Sequence, residues 1–113
     1  MFKLVAIAGK LRGEEFVLNE GDNICGREEE LETSFPVDGV SKEHFSISVK
    51  GDTAYLKDLD SSNGTYLNGK LIKSATVENG DKIAIPDLIL QVVYVEEKKI
   101  IVKKVADGKK INK

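Results

Sequence analysis

The sequence predicts an all-β domain of sandwich or barrel type, and three observations point to it. Apolar residues recur with period two, turn residues separate the apolar runs at regular intervals, and no segment carries a helical stripe. The clearest case is Phe45-Ser46-Ile47-Ser48-Val49-Lys50, which puts Phe45, Ile47 and Val49 on one face and Ser46, Ser48 and Lys50 on the other, as in a half-buried strand.

Taken in order, strands are expected at Phe2–Ala8, Glu14–Leu18, Asn23–Gly26, Phe45–Lys50, Ala54–Asp58, Leu71–Ile72, Lys82–Ile85 and Leu88–Val95, the last apolar on both faces like a central strand. Between them fall Glu20-Gly21-Asp22, Lys50-Gly51-Asp52, Asn63-Gly64, Asn68-Gly69 and Asn79-Gly80-Asp81, whose Gly, Asn and Asp tolerate the positive φ of tight turns. Glu28–Glu32 is expected to form one helical turn and nothing longer. Residues 96–113 are Lys-rich, with Ile100-Ile101-Val102 and Val105 as their main apolar content. They predict an added edge strand at about 99–105, guarded by lysines, and then a frayed tail. The expected division is therefore a domain over residues 1–97 and an appendage over 98–113.

A chain of 113 residues fits one domain that buries about two-thirds of its unfolded surface. The lone Cys25 excludes an internal disulfide and is expected as a small core residue; no Cys/His cluster offers a metal site. The apolar start, Phe2 to Gly9, is too short for a signal-peptide core or a membrane span, so a cytoplasmic setting is expected. Net charge is −2, unevenly spread: residues 1–95 hold 10 Lys/Arg against 16 Asp/Glu, and residues 96–113 hold 7 Lys against 3 acids. Such a body is a poor general polyanion binder, and the basic tail has neither arginine nor an aromatic residue to stack on bases. Nucleic acid and membrane are not expected partners.

Three stretches bear chemistry: Gly26-Arg27 at a strand end, Ser41-Lys42-Glu43-His44 before the clearest strand, and Asp58-Leu59-Asp60-Ser61-Ser62-Asn63-Gly64-Thr65-Tyr66-Leu67-Asn68-Gly69 leading into a hairpin. A phosphomonoester carries about −1.5 to −2 charge and three acceptor oxygens, so a site for it needs a guanidinium, neutral donors and loop amides. Arg27, Ser41, Lys42, Ser62 and Asn63 supply that set from strand ends and turns.

The order and context of these stretches resemble the forkhead-associated (FHA) domain family, over roughly residues 1–95. The resemblance implies a two-sheet, mostly antiparallel β-sandwich whose loops at one end bind a phosphothreonine-containing protein, the product of a Ser/Thr kinase. It implies that Arg27 and Ser41 bond the phosphate, that Lys42 adds a cationic donor, and that Ser62 donates to phosphate or nearby backbone. Asn63 would hold the peptide main chain, while Gly26, His44, Gly64 and Asn68 would shape the loops. A monomeric signalling adaptor without cofactor follows.

The plainer explanations are specific too. Arg27, followed by four glutamates, would in an arbitrary sequence be a surface cation, and Asn68-Gly69 only a hairpin turn. His44, three residues after Ser41, suggests acid-base chemistry, yet a histidine at a strand start more often orders backbone. No nucleophile elbow, zinc ligand set or Walker-type loop supports catalysis. The alternative function is an FHA-like scaffold that pairs with a partner, or with itself, without phosphate.

Overall fold

The computed structural model describes residues 1–96, so the edge strand and tail expected over 98–113 lie outside the described residues. Eleven strands run in chain order: β1 Phe2–Gly9, β2 Glu15–Val17, β3 Gly21–Gly26, β4 Thr33–Ser34, β5 Phe45–Lys50, β6 Thr53–Asp58, β7 Thr65–Leu67, β8 Lys70–Ile72, β9 Ser74–Val77, β10 Lys82–Ile85 and β11 Leu88–Tyr94. A six-stranded sheet has the order β2-β1-β11-β10-β7-β8, and a five-stranded sheet the order β4-β3-β5-β6-β9. The short β3–β4 pair is parallel; every other recorded pair is antiparallel.

Period-two patterning becomes two facing apolar layers. Phe2, Leu4 and Ala6 of β1, Ile83 and Ile85 of β10, and Leu88, Leu90 and Val92 of β11 face Cys25, Phe45, Ile47, Val49 and Leu56 of the other sheet. Each large side chain buried there contributes about 1.5–3 kcal/mol against exposure. Cys25 is fully buried as expected, and loss of solvent pushes its thiol pKa up to about 12 despite a hydrogen bond with Thr33.

Two departures from expectation concern short elements. Glu28–Glu32 forms a turn, closed by the Leu31 amide on the Glu28 carbonyl (3.2 Å), and no helix. The acidic run is held from its far side: Phe35, Val37 and Val40 are buried, and Phe35 packs edge-on against Phe16 with centroids 5.1 Å apart. β4 and β9 were not expected. Thr33-Ser34 is too short and polar to read as a strand, and Ser74-Ala75-Thr76-Val77 shows only two alternations, with Val77 in the core; both lie at an edge of the five-stranded sheet. The Asn68-Gly69 hairpin is as expected: φ is 51° at Asn68 and 85° at Gly69, the positive pair that a type I′ turn needs.

Candidate functional site

Three loops meet at one end of the sandwich: residues 27–32 after β3, residues 35–44 between β4 and β5, and residues 59–64 between β6 and β7. The chain pairs them by continuing the ladder. The Arg27 amide donates to the Ser41 carbonyl (2.9 Å), the Glu28 amide to the Lys42 carbonyl (3.2 Å), and the His44 amide to the Cys25 carbonyl (2.8 Å). Gly26 permits this closeness, because a Cβ there would collide with the Lys42 carbonyl.

His44 joins the second loop to the third. Its ring is fully buried; Nδ1 accepts the Ser41 amide (3.0 Å), which leaves the proton on Nε2 to donate to the Gly64 carbonyl (2.8 Å). Both ring nitrogens are thereby occupied within the protein, a structural arrangement with no nitrogen left for proton transfer. Gly64 itself has φ of 87°, so its lack of a side chain sets the loop's path.

The third loop is organised by a residue that the sequence reading quoted but did not single out. Asp58 Oδ1 accepts the hydroxyls of Ser61 and Thr65, both at 2.6 Å, and Oδ2 accepts the Ser61 amide (3.1 Å). Ser61 Oγ in turn accepts the Gly64 amide (3.0 Å). Asp followed three residues later by Ser is the signature of such a side-chain-capped turn and was the available signal. Burial raises the Asp58 pKa, but the hydrogen bonds from Ser61 and Thr65 outweigh it and hold the carboxyl below its ordinary value of 3.8. A carboxyl lowered in the folded state stabilises above the unfolded pKa, and that contribution is lost as pH falls through the folded pKa. The urea midpoint is expected to drop as pH falls below the ordinary carboxyl value of 3.8, and to drop less in Asp58→Asn, which starts from lower stability at neutral pH. Equal acid sensitivity in the two proteins would show that the loop does not depend on this carboxylate.

On this frame sit the five polar residues. Arg27 is exposed, and its Nε–H donates to the Val40 carbonyl (2.9 Å), which tethers the guanidinium on one side. Its four Nη–H donors have no protein acceptor among the described residues. Arg27 and Lys42 line one hollow of about 410 Å³ together with Glu28, Glu29, Ser34 and Pro36. Among the described residues the one ion pair is Lys3–Glu15, so the glutamates beside Arg27 and Lys42 do not neutralise them by contact. Ser41 Oγ accepts the Ser62 amide (3.0 Å) and retains its own proton to donate. Asn63 Nδ2 donates to the Gly39 carbonyl (2.8 Å), tying the second loop to the third and leaving Oδ1 available.

Eight of the nine residues singled out from sequence thus gather at one loop end. Asn68 does not. It lies at the other end of β7, where Oδ1 accepts the Lys82 amide (2.9 Å) and Nδ2 donates to Asp81 (3.1 Å), pinning the β7–β8 hairpin to β10. Among the described residues no group of three or more His, Cys, Asp or Glu side chains is placed to hold a metal, and no helix is long and apolar enough to cross a membrane.

Comparison with known proteins gives the family and the fold. Residues 23–86 match the family model of the FHA domain. The chain is similar to the FHA domain-containing protein FhaA of Mycobacterium tuberculosis, 38% identical over 71 residues that make up 63% of this chain and 14% of that protein. It is also similar to the glycogen accumulation regulator GarA of Mycolicibacterium smegmatis, 30% identical over 82 residues, or 73% of this chain and 52% of that protein. The chain therefore spans about half or less of these relatives, which are named for a domain and a regulatory role and not for a reaction.

Among solved structures, the FhaA FHA domain complexed with the intracellular domain of Rv3910 superposes with a TM-score of 0.76 at 32% identity, covering 81% of this chain and 99% of that one. A structure from work on phosphothreonine-dependent FHA domain interactions gives 0.76 at 31% identity, covering 85% and 98%. With its two-sheet fold, its loop cluster and a family match over more than half its length, the chain belongs to the FHA domain family.

Proposed function

We propose that residues 1–97 form a phosphopeptide-binding adaptor module that recognises phosphothreonine in a partner protein, itself the product of a Ser/Thr kinase. The observation that carries this is the state of Arg27: aimed by its Nε–H bond to Val40, beside Lys42, with four donors unspent and no carboxylate in contact among the described residues. In a phosphate complex the Arg27 fork and the Ser41 hydroxyl bond the phosphate oxygens, and Lys42 adds a point charge. The Ser62 hydroxyl donates to phosphate or to loop backbone, and Asn63, already fixed to Gly39, holds the peptide main chain through Oδ1. Gly26, His44 and Gly64 keep these donors in place. Asn68 keeps the hairpin.

Preference for phosphothreonine rests on kinship with FHA domains whose interactions are phosphothreonine-dependent. A few charge-assisted bonds of about 1.5–3 kcal/mol each, less the cost of association, leave binding near micromolar, suited to a reversible switch. The module binds and releases without catalysing a reaction, acts as a monomer, and works in the cytoplasm, in keeping with a single buried cysteine that makes no disulfide.

The test is fluorescence polarisation with degenerate phosphothreonine, phosphoserine and unphosphorylated peptide pools. Saturable binding of the phosphothreonine pool alone is expected. Equal binding of all three pools would replace the adaptor by a phosphate-independent scaffold.

A further inference from the structure

Next to the loop cluster, the outward face of the six-stranded sheet carries an apolar row that the core does not use. Tyr66 of β7 pairs with Leu71 of β8 on one side and with Ala84 of β10 on the other; Ala84 pairs with Ile89 of β11, and Ile89 with Ala8 of β1. Their strand neighbours Ile83, Ile85, Leu88 and Leu90 point into the core, whereas Leu71 is 62% and Tyr66 39% exposed and Ala8, Ala84 and Ile89 are half-buried. The next row on the same face is mostly polar, with Lys82 opposite Gln91 and Val5 opposite Glu15. The apolar row is therefore about one side chain wide.

This row is continuous with the loop site. A Cβ on Gly64 would lie 2.8 Å from Leu71 Cδ1 and 3.5 Å from Tyr66 Cε1, so these two side chains lie against the residue that follows Asn63. A hollow of about 220 Å³ opens between Asn63, Gly64, Tyr66, Ala84 and Pro86, and another of about 300 Å³ continues past Ile85 and Ile89 to Ala8, with Asp87 as the one charged residue on its rim.

We propose that this row is a second docking surface, which receives an apolar segment of the same partner chain flanking its phosphothreonine. The proposal rests on the phosphothreonine function above. Five strands at about 4.8 Å spacing make a row about 19 Å long, the span of roughly six extended residues at about 3.3 Å each. Its narrowness selects an extended segment over a second copy of this chain: a stable interface buries about 800 Å² on each partner, and here Lys82, Gln91 and Glu15 interrupt the apolar surface one row away. Phosphate contacts would supply the switch, and the row would select among phosphorylated sequences by what adjoins them.

The experiment compares three phosphothreonine peptides: one with Gly/Ser on both sides, one with six Leu/Val-rich residues before the phosphothreonine, and one with the same run after it. One apolar-flanked peptide is expected to bind about tenfold more tightly than the Gly/Ser peptide, a difference of about 1.4 kcal/mol. Leu71→Asp is expected to erase that gain while leaving Gly/Ser peptide affinity within about twofold, and Leu71→Ala to erase part of it; at 62% exposure, neither change disturbs the core. Equal affinity of all three peptides, or a gain that survives both Leu71 variants, overturns the proposal. So does self-association in sedimentation velocity that Leu71→Asp abolishes, which would make the occupant a second copy. Failure of the Gly/Ser phosphothreonine peptide to bind the wild-type protein would sink the phosphothreonine function and the docking surface with it; loss of the flank effect alone sinks only the docking surface.

Discussion

With Arg27 replaced by alanine, a phosphothreonine peptide is expected to bind at least about a hundredfold more weakly. The guanidinium offers two parallel charge-assisted hydrogen bonds, each about 1.5–3 kcal/mol, and every 1.4 kcal/mol is tenfold in affinity. No neighbour can substitute: Lys42 presents a point charge without a fork, and the other side chains around the hollow it shares with Arg27 are Glu28, Glu29, Ser34 and Pro36. Stability is expected to fall by only about 1–2 kcal/mol, because what the fold loses is one part-buried Nε–H bond to the Val40 carbonyl. Arg27→Lys should retain part of the binding, since it keeps the charge but loses both the fork and the tether that aims it. Polarisation titration beside urea unfolding separates the two effects. Unchanged affinity in a folded Arg27→Ala protein would place the phosphate pocket elsewhere.

How far the sequence could be read depended on how each residue is used. Strands with one buried face, such as β5 and β10, are written in their alternation, and hairpins such as Asn68-Gly69 in residues that accept positive φ. β4 and β9 escaped because each is short and needs only one partner: Thr33-Ser34 carries no apolar residue, and Ser74–Val77 commits only Val77 to the core, too little alternation to read. The Glu28–Glu32 run suggested a helical turn by composition alone. Its true determinants lie outside it, in Gly26, whose carbonyl takes the Phe35 amide (2.7 Å), and in the burial of Phe35, Val37 and Val40. At the site, charge and donor type marked Arg27, Ser41 and Asn63, whereas the work of Asp58 was signalled only by the serine three residues on. That it also accepts from Thr65 is not legible in sequence until the loop closes around it. Nor did sequence reveal that the site uses part of its equipment internally, with Ser41 Oγ on the Ser62 amide and Asn63 Nδ2 on Gly39. These bonds hold the donors in one arrangement before a ligand arrives, so less ordering remains to be done on binding.

His44→Ala is expected to act on the other side of the ledger, lowering unfolding stability by about 3–5 kcal/mol out of the roughly 5–15 kcal/mol typical of a domain. The imidazole is wholly buried, so its removal leaves a cavity, and it also strands the half-buried Ser41 amide and Gly64 carbonyl, each costing up to about 1–3 kcal/mol when left unpaired. The penalty is below the sum of these parts because the loops can relax and let water reach both groups. Where the variant remains folded, the Ser41 and Asn63 loops lose their common anchor, and phosphopeptide affinity should fall without any loss of charge. His44→Gln is the informative companion, since its amide can offer one acceptor and one donor to the same two partners; it should recover part of the stability but not the full packing of the ring. Urea midpoints for the three proteins test this directly. If His44→Ala unfolds at the wild-type midpoint yet binds poorly, His44 contacts the ligand instead of the loops, and the structural role assigned to it here is wrong.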